Sequence, residues 1–285
     1  RGILADTRPT RISELTRISG LSHGTDVWAG NARELIRNGV CTLSEAICNR
    51  DDIMLYLIRQ GLPPKQAFQI MERVRKGKGL TDDQIQAMKE NGVPDWYIES
   101  CNKIKYMFPR AHAAAYVISA IWIAYFKVYH PLEFYAAHFT THVKHCDIAL
   151  MIQGYDAVRK KVESLYVRGS QLSTKEEDLL SVLEVALEMY ARGYSFLPVD
   201  LYESHAYKFQ VKDGKLLPPF ASVVGIGESA ANNLMKAREE AEFLSIEDLK
   251  NRSGVSTKVV EVLEQMGCLK GLAESNQLSL FESLG

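Results

Sequence analysis

The chain has 285 residues, 46% of them hydrophobic and 24% charged, a composition that excludes a disordered or fibrous protein and predicts one large domain or two ordinary ones. Its 34 Lys and Arg against 35 Asp and Glu leave a net charge of −1, so a surface that binds polyanions must come from local segregation of charge. The five cysteines form no CxxC pair, and their odd number argues against a disulfide framework and predicts a reducing, cytoplasmic setting. The chain opens at Arg1 without an initiator Met or a signal peptide, and we expect it to be a piece of a longer polypeptide.

Helical periodicity runs through nearly every long segment and predicts a mainly α fold. Apolar residues recur at helical spacing from Ala46 to Ile58 and again from Leu179 to Tyr190. The breaks between helices are marked by Gly and Pro at residues 61–64, 77–79 and 91–94.

One apolar run and one strand pattern stand apart from this periodicity. The run Ala113–Phe126 has fourteen residues, whereas a bilayer span needs about 20, so we predict a core helix. Alternating residues over Tyr207–Lys212, closed by Asp213-Gly214, predict a small β-hairpin.

A composition shift at Leu217–Pro219 indicates a domain boundary, and the polar residues from about Gly271 predict a flexible tail.

Charge is segregated along the chain although the total is neutral. From Arg59 to Arg110 there are ten basic and six acidic residues, and from Glu239 to the end there are four basic and nine acidic ones. A basic middle and an acidic end suit a surface that faces a polyanion, followed by a segment that does not. The alternative is two ordinarily solvated faces.

Basic and aromatic residues are interleaved in the segment Lys103–Tyr116. A proline turn there precedes a helix rich in small residues, and free N–H groups at a helix start beside Arg110 and His112 are what a phosphate group needs. Tyr106 and Phe108 offer rings on which a base can stack. The alternative is a buried aromatic turn with solvent-facing cations.

Three further segments carry weaker signals. The basic loop Glu72–Gly79 fits a phosphate contact or an ordinary helix end. The polar stretch Leu21–Trp28 fits a nucleotide-contacting loop or a helix cap, and its residues favour the cap. The histidine cluster His138–Cys146 fits a zinc site or an exposed helix end, and we predict no metal there because no second cluster or activating Glu accompanies it.

The C-terminal third holds two copies of one turn pattern. The Gly-Ile-Gly string 225–227 lies between a short helix and a longer one, as in helix–hairpin–helix motifs, whose glycine N–H groups contact DNA phosphate while the apolar residue anchors the hairpin. The Gly-Val-Ser-Thr string 254–257 is a degenerate second copy. Two copies predict a module that grips duplex backbone without reading sequence. A dinucleotide-binding Gly-x-Gly is disfavoured because no strand–helix alternation surrounds it.

The last distinctive string is Gln-Leu-Ser-Leu-Phe at residues 277–281. Apolar side chains on a polar tail are unfavourable unless a pocket of a partner binds them. The string matches the bacterial sliding-clamp-binding motif at every specified position.

Together these strings resemble the C-terminal part of the PolC-type bacterial replicative DNA polymerase III α subunit, essentially end to end. The resemblance rests on LTRISGLSHGTDVW at 15–28, RDDIM at 50–54, RVRKGKGL at 73–80, FPRAHAAAY at 108–116 and QLSLF at 277–281. Arg110 stands where the family often carries Lys, which keeps the charge but changes the hydrogen-bond geometry.

The resemblance implies a helical fingers domain over residues 1–205 that positions the incoming dNTP and the template. It also implies a duplex-binding helix–hairpin–helix module over 206–270 and a flexible tail with the clamp motif over 271–285. It also implies that the palm with its metal-binding aspartates, the thumb, the PHP region and the proofreading exonuclease lie outside this stretch. Mg²⁺ is then bound by the palm, and we expect no catalytic and no metal-binding residue here. Asp51-Asp52 and Asp82-Asp83 are expected to begin helices instead.

The site residues that we predict on this basis fall into three groups. Those for the incoming nucleotide are Ser22, His23, Arg50, Arg73, Arg75, Lys76, Lys78, Tyr106, Phe108, Arg110, His112 and Tyr116. Those for DNA are Gly225, Ile226, Gly227, Gly254, Ser256 and Thr257. Those for the clamp are Gln277, Leu278, Leu280 and Phe281.

We therefore expect a segment of a replicative DNA-directed DNA polymerase, inactive by itself, whose partners are primer–template DNA, dNTP, the sliding clamp and other replisome subunits, with no membrane. The alternative is a non-catalytic, clamp-tethered DNA-binding adaptor, for which the tail and the two hairpins would suffice.

Overall fold

The computed structural model of this chain describes residues 2–275, and the fold is 64% helical with one two-stranded antiparallel hairpin in that range. The mainly α fold predicted from the helical periodicity is thereby confirmed. The chain divides into two compact units, Arg1–Ile123 and Ala124–Gly285, and each has a hydrophobic core of its own. All five cysteines are free thiols. The predicted clamp residues Gln277, Leu278, Leu280 and Phe281 lie outside the described residues.

The first unit is helical. Its helices are α1 (Gly2–Thr7), α2 (Ile12–His23), α3 (Arg33–Arg37), α4 (Arg50–Arg59), α5 (Pro64–Arg75), α6 (Asp82–Glu90), α7 (Asp95–Lys103) and α8 (Arg110–Tyr129), the last of which continues into the second unit. The predicted breaks at 77–79 and 91–94 lie between these helices, and the break at 61–64 ends at Pro64, the first residue of α5.

Short-range hydrogen bonds fix several helix starts. Thr81 accepts from the Gln84 N–H and thereby caps α6, as the sequence predicts. Pro64 occupies the first turn of α5, where a missing N–H costs nothing.

The helix predicted over Ala46–Ile58 begins only at Arg50. The Asp52 carboxylate accepts hydrogen bonds from the N–H groups of Cys48 and Asn49, at 3.1 and 2.9 Å, which ends helical geometry just before Arg50. Ala46 and Ile47 lie in irregular chain and are buried. Their apolar spacing therefore reflects burial and not a helix.

The core of the first unit is built mainly by α4 packing on α5, with α7 beside them. Ile53 and Leu57 on α4, Ile70 on α5 and Tyr97 on α7 are almost completely inaccessible to water. Each such side chain contributes about 1.5–3 kcal/mol of hydrophobic free energy. This core holds the loops that carry the candidate site.

Helix α8 is not the core helix that its composition predicts. Its buried residues are Ala113 and Val117, whereas Trp122 is 65% exposed and Tyr129 66% exposed. It is also the one helix among residues 2–275 whose length and mean hydropathy of 1.3 reach those of a membrane span. These two properties alone are weak evidence for a span.

The second unit combines helices with the β-hairpin. Its elements are α9 (Pro131–Thr141), α10 (Ile148–Met151), α11 (Tyr155–Arg168), α12 (Thr174–Ala191), β1 (Gln210–Lys212), β2 (Lys215–Leu217), α13 (Glu228–Glu240), α14 (Ile246–Ser253) and α15 (Thr257–Gln265). The helix predicted around Leu179–Tyr190 is α12, capped by Ser173, whose hydroxyl accepts from the Glu176 N–H.

The predicted β-hairpin is confirmed, although β1 begins at Gln210 and not at Tyr207, because the N–H groups of Tyr207 and Lys208 donate to the His205 Nδ1 atom. β1 and β2 pair antiparallel, with Val211 opposite Leu216, and Asp213 and Gly214 both have positive φ, 50° and 71°. Positive φ at both central residues is the geometry of a type I′ turn, whose twist matches that of the strands.

One continuous core fills the second unit, from Tyr135 to Leu269. The ring of Phe139 contacts Phe196, which precedes the predicted boundary at residue 205, and Phe209, which follows it. The ring centroids are 5.3 and 5.6 Å apart, respectively. The functional boundaries placed at 205/206 and at 217–219 therefore do not separate two cores, and they stay predictions about function.

Candidate nucleotide and nucleic-acid sites

In the first unit, the predicted nucleotide segment is held by a short backbone pairing. Thr25 and Tyr106 form an antiparallel bridge in which the Thr25 N–H donates to the Tyr106 carbonyl at 3.0 Å. Gly24 allows this approach, because a Cβ there would lie 2.9 Å from the Tyr106 carbonyl oxygen. The polar loop after α2 thus lies against the aromatic segment, although 81 residues separate Thr25 from Tyr106 in the chain.

Five of the predicted residues form a row of rings. The Phe108 ring lies 5.1 Å from Tyr106, edge to face, and 5.1 Å from His112, stacked with an interplanar angle of 16°. His112 continues to Tyr116 at 4.7 Å, and His23 approaches Phe108 at 5.9 Å. Tyr106, His112, Tyr116 and His23 are exposed, so this aromatic row offers ring surface to a ligand. The buried aromatic turn considered as the alternative does not describe it.

A cluster of cations surrounds Glu72. Arg75 binds this carboxylate with two hydrogen bonds of 2.5 and 2.9 Å, Lys76 lies 3.0 Å away and Arg50 lies 4.0 Å away. The hydrogen bonds from Arg75 and Lys76 lower the pKa of Glu72 to about 2. Three cations around one carboxylate leave two positive charges in excess. We call Arg50, Glu72, Arg75 and Lys76 the Glu72 cluster.

The Glu72 cluster adjoins the aromatic row. The Arg50 N–H donates to the Phe108 carbonyl at 3.1 Å. The Arg50 Nε atom is buried and has no hydrogen-bond partner among the described residues. A buried guanidinium donor without a partner favours an anionic ligand at this place.

Two residues of the predicted basic loop have structural roles. Arg73 donates to the carbonyls of Gly79 and Lys78, at 3.2 and 3.4 Å, and so closes the loop on itself. Gly77 has a φ of 67°, and a Cβ there would lie 2.5 Å from the Lys105 carbonyl oxygen. The loop therefore packs directly on the aromatic segment, with the Lys78 side chain exposed.

The backbone N–H and the guanidinium of Arg110 both bind carboxylates at the start of α4. Its N–H donates to the Asp51 carboxylate at 2.7 Å, and its guanidinium binds Asp52 at 2.5 Å. Arg17 also pairs with Asp52, at 3.6 Å. Asp52 therefore already compensates the charge of Arg110, and its role at the nucleotide stays a prediction.

Ser22 and the acidic pairs show mainly local contacts. The Ser22 hydroxyl donates to the Ser19 carbonyl in the last turns of α2 and is exposed. Asp51 and Asp52 lie in the first turn of α4, as predicted, and Asp82 with Asp83 begins α6.

In the second unit, the two predicted hairpins correspond position by position. Each has a glycine with positive φ, then a buried aliphatic residue, then the N-cap of a helix. These are Gly225 (φ 97°) and Gly254 (φ 67°), Ile226 and Val255, and Gly227 and Ser256. A Cβ at Gly225, Gly227 or Gly254 would meet nothing within 4 Å, so each turn is open to close approach.

The hairpin residues divide into anchors and contact positions. Ile226 is 5% exposed and its N–H donates to the Val223 carbonyl at 3.0 Å, so it anchors the turn and leaves no donor for a ligand. Thr257 accepts from the Lys250 ammonium group at 2.7 Å. Lys250, which belongs to none of the sequence motifs, therefore lies beside the second turn and is exposed.

The histidine cluster does not gather around one point. His138 stacks on His142 at 4.5 Å, whereas His145 pairs with Asp178 at 3.2 Å. Burial lowers the pKa of His138 to about 4. Within residues 2–275, no three His, Cys, Asp or Glu side chains are arranged so that they could hold a metal ion.

The residue that sequence reasoning misses in the first unit is Glu72. Its spacing of three and four positions from Arg75 and Lys76 is the signal that could have revealed it, since such pairs meet on a helix surface. The Thr25–Tyr106 pairing has no such local signal.

Comparison with known proteins shows which family the chain resembles. A family model of the bacterial DNA polymerase III alpha subunit finger domain matches residues 1–94, and a helix-hairpin-helix motif model matches residues 193–278. Three similar relatives, each named DNA polymerase III PolC-type, come from Oceanobacillus iheyensis (58% identical), Bacillus subtilis (59%) and Caldanaerobacter subterraneus (54%). Each match covers 99% of this chain and 20% of the relative. The resemblance predicted from the sequence is thereby confirmed, and the chain corresponds in sequence to one fifth of the length of PolC-type DNA polymerase III.

Proposed function

We propose that this chain is the part of a replicative DNA-directed DNA polymerase that positions the incoming dNTP and grips primer–template duplex DNA. The similarity of 99% of the chain to proteins named DNA polymerase III PolC-type supports the proposal. Because the chain spans 20% of those relatives, polymerase activity belongs to the full-length protein, and this segment contributes binding and orientation. A cytoplasmic location follows from the proposed role in bacterial replication.

One observation carries the nucleotide part of the proposal: the Glu72 cluster adjoins the aromatic row. A triphosphate needs several positive charges, and Arg50, Arg75, Lys76 and the nearby Lys78 supply them. A base pair needs flat apolar surface, which the row from Tyr106 to Tyr116 supplies. Phosphoryl transfer requires that the base is held in place and that the charge of the leaving pyrophosphate is neutralised. A segment with these two features can contribute both.

Divalent metal is general in DNA polymerases, and the described residues do not fit it. Asp52 is engaged by two backbone N–H groups and by Arg17 and Arg110, and Asp51 accepts from the Arg110 N–H. Carboxylates that are already bonded in this way are poor ligands for Mg²⁺, which prefers oxygen ligands free to complete an octahedron. We therefore propose that Mg²⁺ binds to the palm of the full-length protein, outside this segment.

The two hairpins are proposed to hold the duplex. Two helix starts, each preceded by an open glycine turn, present N–H groups to phosphate without touching base edges. Binding should therefore be independent of DNA sequence and should weaken as salt is added. The tail string 277–281 is proposed to tether this module to the sliding clamp.

The nucleotide proposal is tested in the full-length polymerase that carries this segment. Arg75→Ala removes a hydrogen-bonded cation and is expected to raise KM for dNTP about tenfold or more, with duplex affinity unchanged. Lys65→Ala, an exposed cation at the start of α5, is the matched control and should change neither value. An unchanged KM with intact duplex binding would contradict the assignment of the Glu72 cluster to the incoming nucleotide.

The clamp proposal has its own test. Replacing both Leu280 and Phe281 with Ala removes two side chains that yield about 1.5–3 kcal/mol each on burial, which corresponds to roughly 10²- to 10⁴-fold in affinity. Binding to immobilised sliding clamp should be lost while binding to short duplex DNA stays the same. Ser279→Ala, at the unspecified position of the motif, is the control. Clamp binding as tight as that of the parent would refute the assignment.

A further inference from the structure

A cavity lies in the first unit and is lined by residues outside the aromatic row. Its volume is about 400 Å³, within the range of sites that hold small ligands. Helices α2, α4 and α7, the start of α8 and the loop at 40–46 contribute to it. Of the residues predicted to bind nucleotide, Arg110 alone lines it.

One side of the cavity is aromatic. Tyr56 stacks on Tyr97 with the ring centroids 4.3 Å apart, and Trp96 meets Tyr97 edge to face at 5.4 Å. Tyr97 is fully buried and fixes the other two rings, which are half-buried. Such held rings stack on bases of any sequence.

The charges in the lining select a ligand with little negative charge. Three arginines, Arg17, Arg59 and Arg110, face two carboxylates, Asp52 and Glu45, which leaves one net positive charge. Asp52 binds Arg17 and Arg110, and Glu45 is bonded to Thr42, so the exposed guanidinium of Arg59 is the cation that no ion pair compensates among the residues lining the cavity.

A phosphodiester carries one negative charge, whereas a triphosphate carries several. The cavity therefore matches one nucleotide unit of a strand, with a base against Trp96 and Tyr56 and a phosphate at Arg59. The Glu72 cluster, with two excess charges and Lys78 beside it, matches the triphosphate better.

We propose that this cavity binds an unpaired nucleotide of single-stranded DNA, as the template strand would present it ahead of the duplex. The inference rests on the proposed polymerase function, because it is that function that brings a single-stranded template to this segment. It adds a ligand class and three residues, Tyr56, Arg59 and Trp96, to the nucleotide and duplex sites.

The experiment measures binding of dye-labelled oligothymidylate and of a short blunt duplex to this chain by fluorescence anisotropy. Arg59→Gln and Trp96→Leu are each expected to weaken oligothymidylate binding about tenfold, the lower part of the range that a lost stacking or phosphate contact produces. Neither should change duplex affinity. Lys65→Gln removes an equal charge elsewhere on the same unit and should leave both affinities unchanged.

Arg59 is exposed, so its replacement does not disturb the core and keeps the test valid even if Trp96→Leu unfolds the unit. The inference is overturned if Arg59→Gln binds oligothymidylate as the parent does, if duplex affinity falls equally, or if free dTTP displaces the oligonucleotide, which would make the cavity a mononucleotide site. Failure of the proposed function looks different: the parent chain then fails to bind the duplex, whatever the result with the single strand.

Discussion

The two units build their candidate sites by different means. In the first unit, the Glu72 cluster and the aromatic row come from α2, α4, α5 and the 105–116 segment, and backbone contacts such as Thr25–Tyr106 bring them together. In the second unit, each hairpin is complete within three consecutive residues, 225–227 and 254–256. One site is assembled from distant side chains, and the other is local backbone repeated twice.

This contrast determines which changes should damage each site. A site assembled from distant segments depends on close packing between loops, so it should fail when one contact in that packing is blocked. A site made of local backbone depends on the residue that anchors each turn to the core, and damage to one copy should leave the other intact. The chain allows the two units to be followed separately, because all three tryptophans, Trp28, Trp96 and Trp122, lie in the first unit.

The largest expected effect comes from removing a hairpin anchor. Ile226→Ala should lower the free energy of unfolding of the second unit by about 2–5 kcal/mol, because Ile226 is 5% exposed and belongs to the core of that unit. Circular dichroism should show an earlier transition, while tryptophan fluorescence, which follows the first unit, stays at the parent's midpoint. A shift of both signals together would show that the two units do not unfold independently.

A blocked loop contact should be the next largest effect. Gly77→Ala places a Cβ 2.5 Å from a backbone oxygen that cannot move alone, in addition to the cost of a φ of 67°. We expect a loss of about 2–3 kcal/mol from the first unit, read by tryptophan fluorescence during denaturation.

Gly92→Ala is the matched control for that substitution. Its φ of 72° is nearly the same, but a Cβ there meets nothing within 4 Å. It should therefore cost only the conformational part, about 1 kcal/mol. Equal losses from the two substitutions would contradict the packing of the basic loop on the aromatic segment.

These contrasts also explain what the sequence could predict. Some features depend only on residues that are close together in the sequence, and these could be predicted. They are the hairpin strings, the type I′ turn at Asp213-Gly214 and the capping box at Thr81. The pairing of Thr25 with Tyr106 and the binding of Arg110 to Asp52 are decided by tertiary packing, which leaves no periodic trace. Tertiary packing also decides two predictions that were wrong. Ala46 and Ile47 have helical spacing because they are buried, although they lie outside a helix, and α8 exposes large apolar residues instead of forming a core.

A smaller effect is expected from the carboxylate at the centre of the Glu72 cluster. The pKa of Glu72 is lowered from 4.5 to about 2 by Arg75 and Lys76, so its ion pairs stabilise the fold above pH 4.5 and this contribution is lost as the pH falls toward 2. Glu72→Gln should cost about 1 kcal/mol at neutral pH, because the pair is partly exposed to solvent.

The measurement is the difference in Tm between parent and Glu72→Gln as a function of pH, followed by tryptophan fluorescence. The two Tm values should converge as the pH falls below 4.5. A difference that stays constant down to acid pH would mean that Glu72 acts through packing or hydrogen bonding that does not need its charge. Glu163→Gln, an exposed acid in the second unit, should show no effect on this signal.

The smallest effect tests whether the two hairpins are interchangeable. Ser256 caps α15 by accepting from the Val259 N–H at 3.4 Å, whereas Gly227 caps α13 without a side chain. Ser256→Gly makes the second turn like the first and should cost only a few tenths of a kcal/mol, since glycine is itself a fair N-cap. Ser256→Ala removes the acceptor and adds no conformational freedom, so it should cost about 1 kcal/mol.

If the turns bind phosphate through backbone N–H groups, both variants should keep the duplex affinity of the parent despite this difference in stability. Duplex binding that falls with either substitution would mean that the serine hydroxyl itself contacts DNA, and the second hairpin would then be a side-chain site and not a copy of the first.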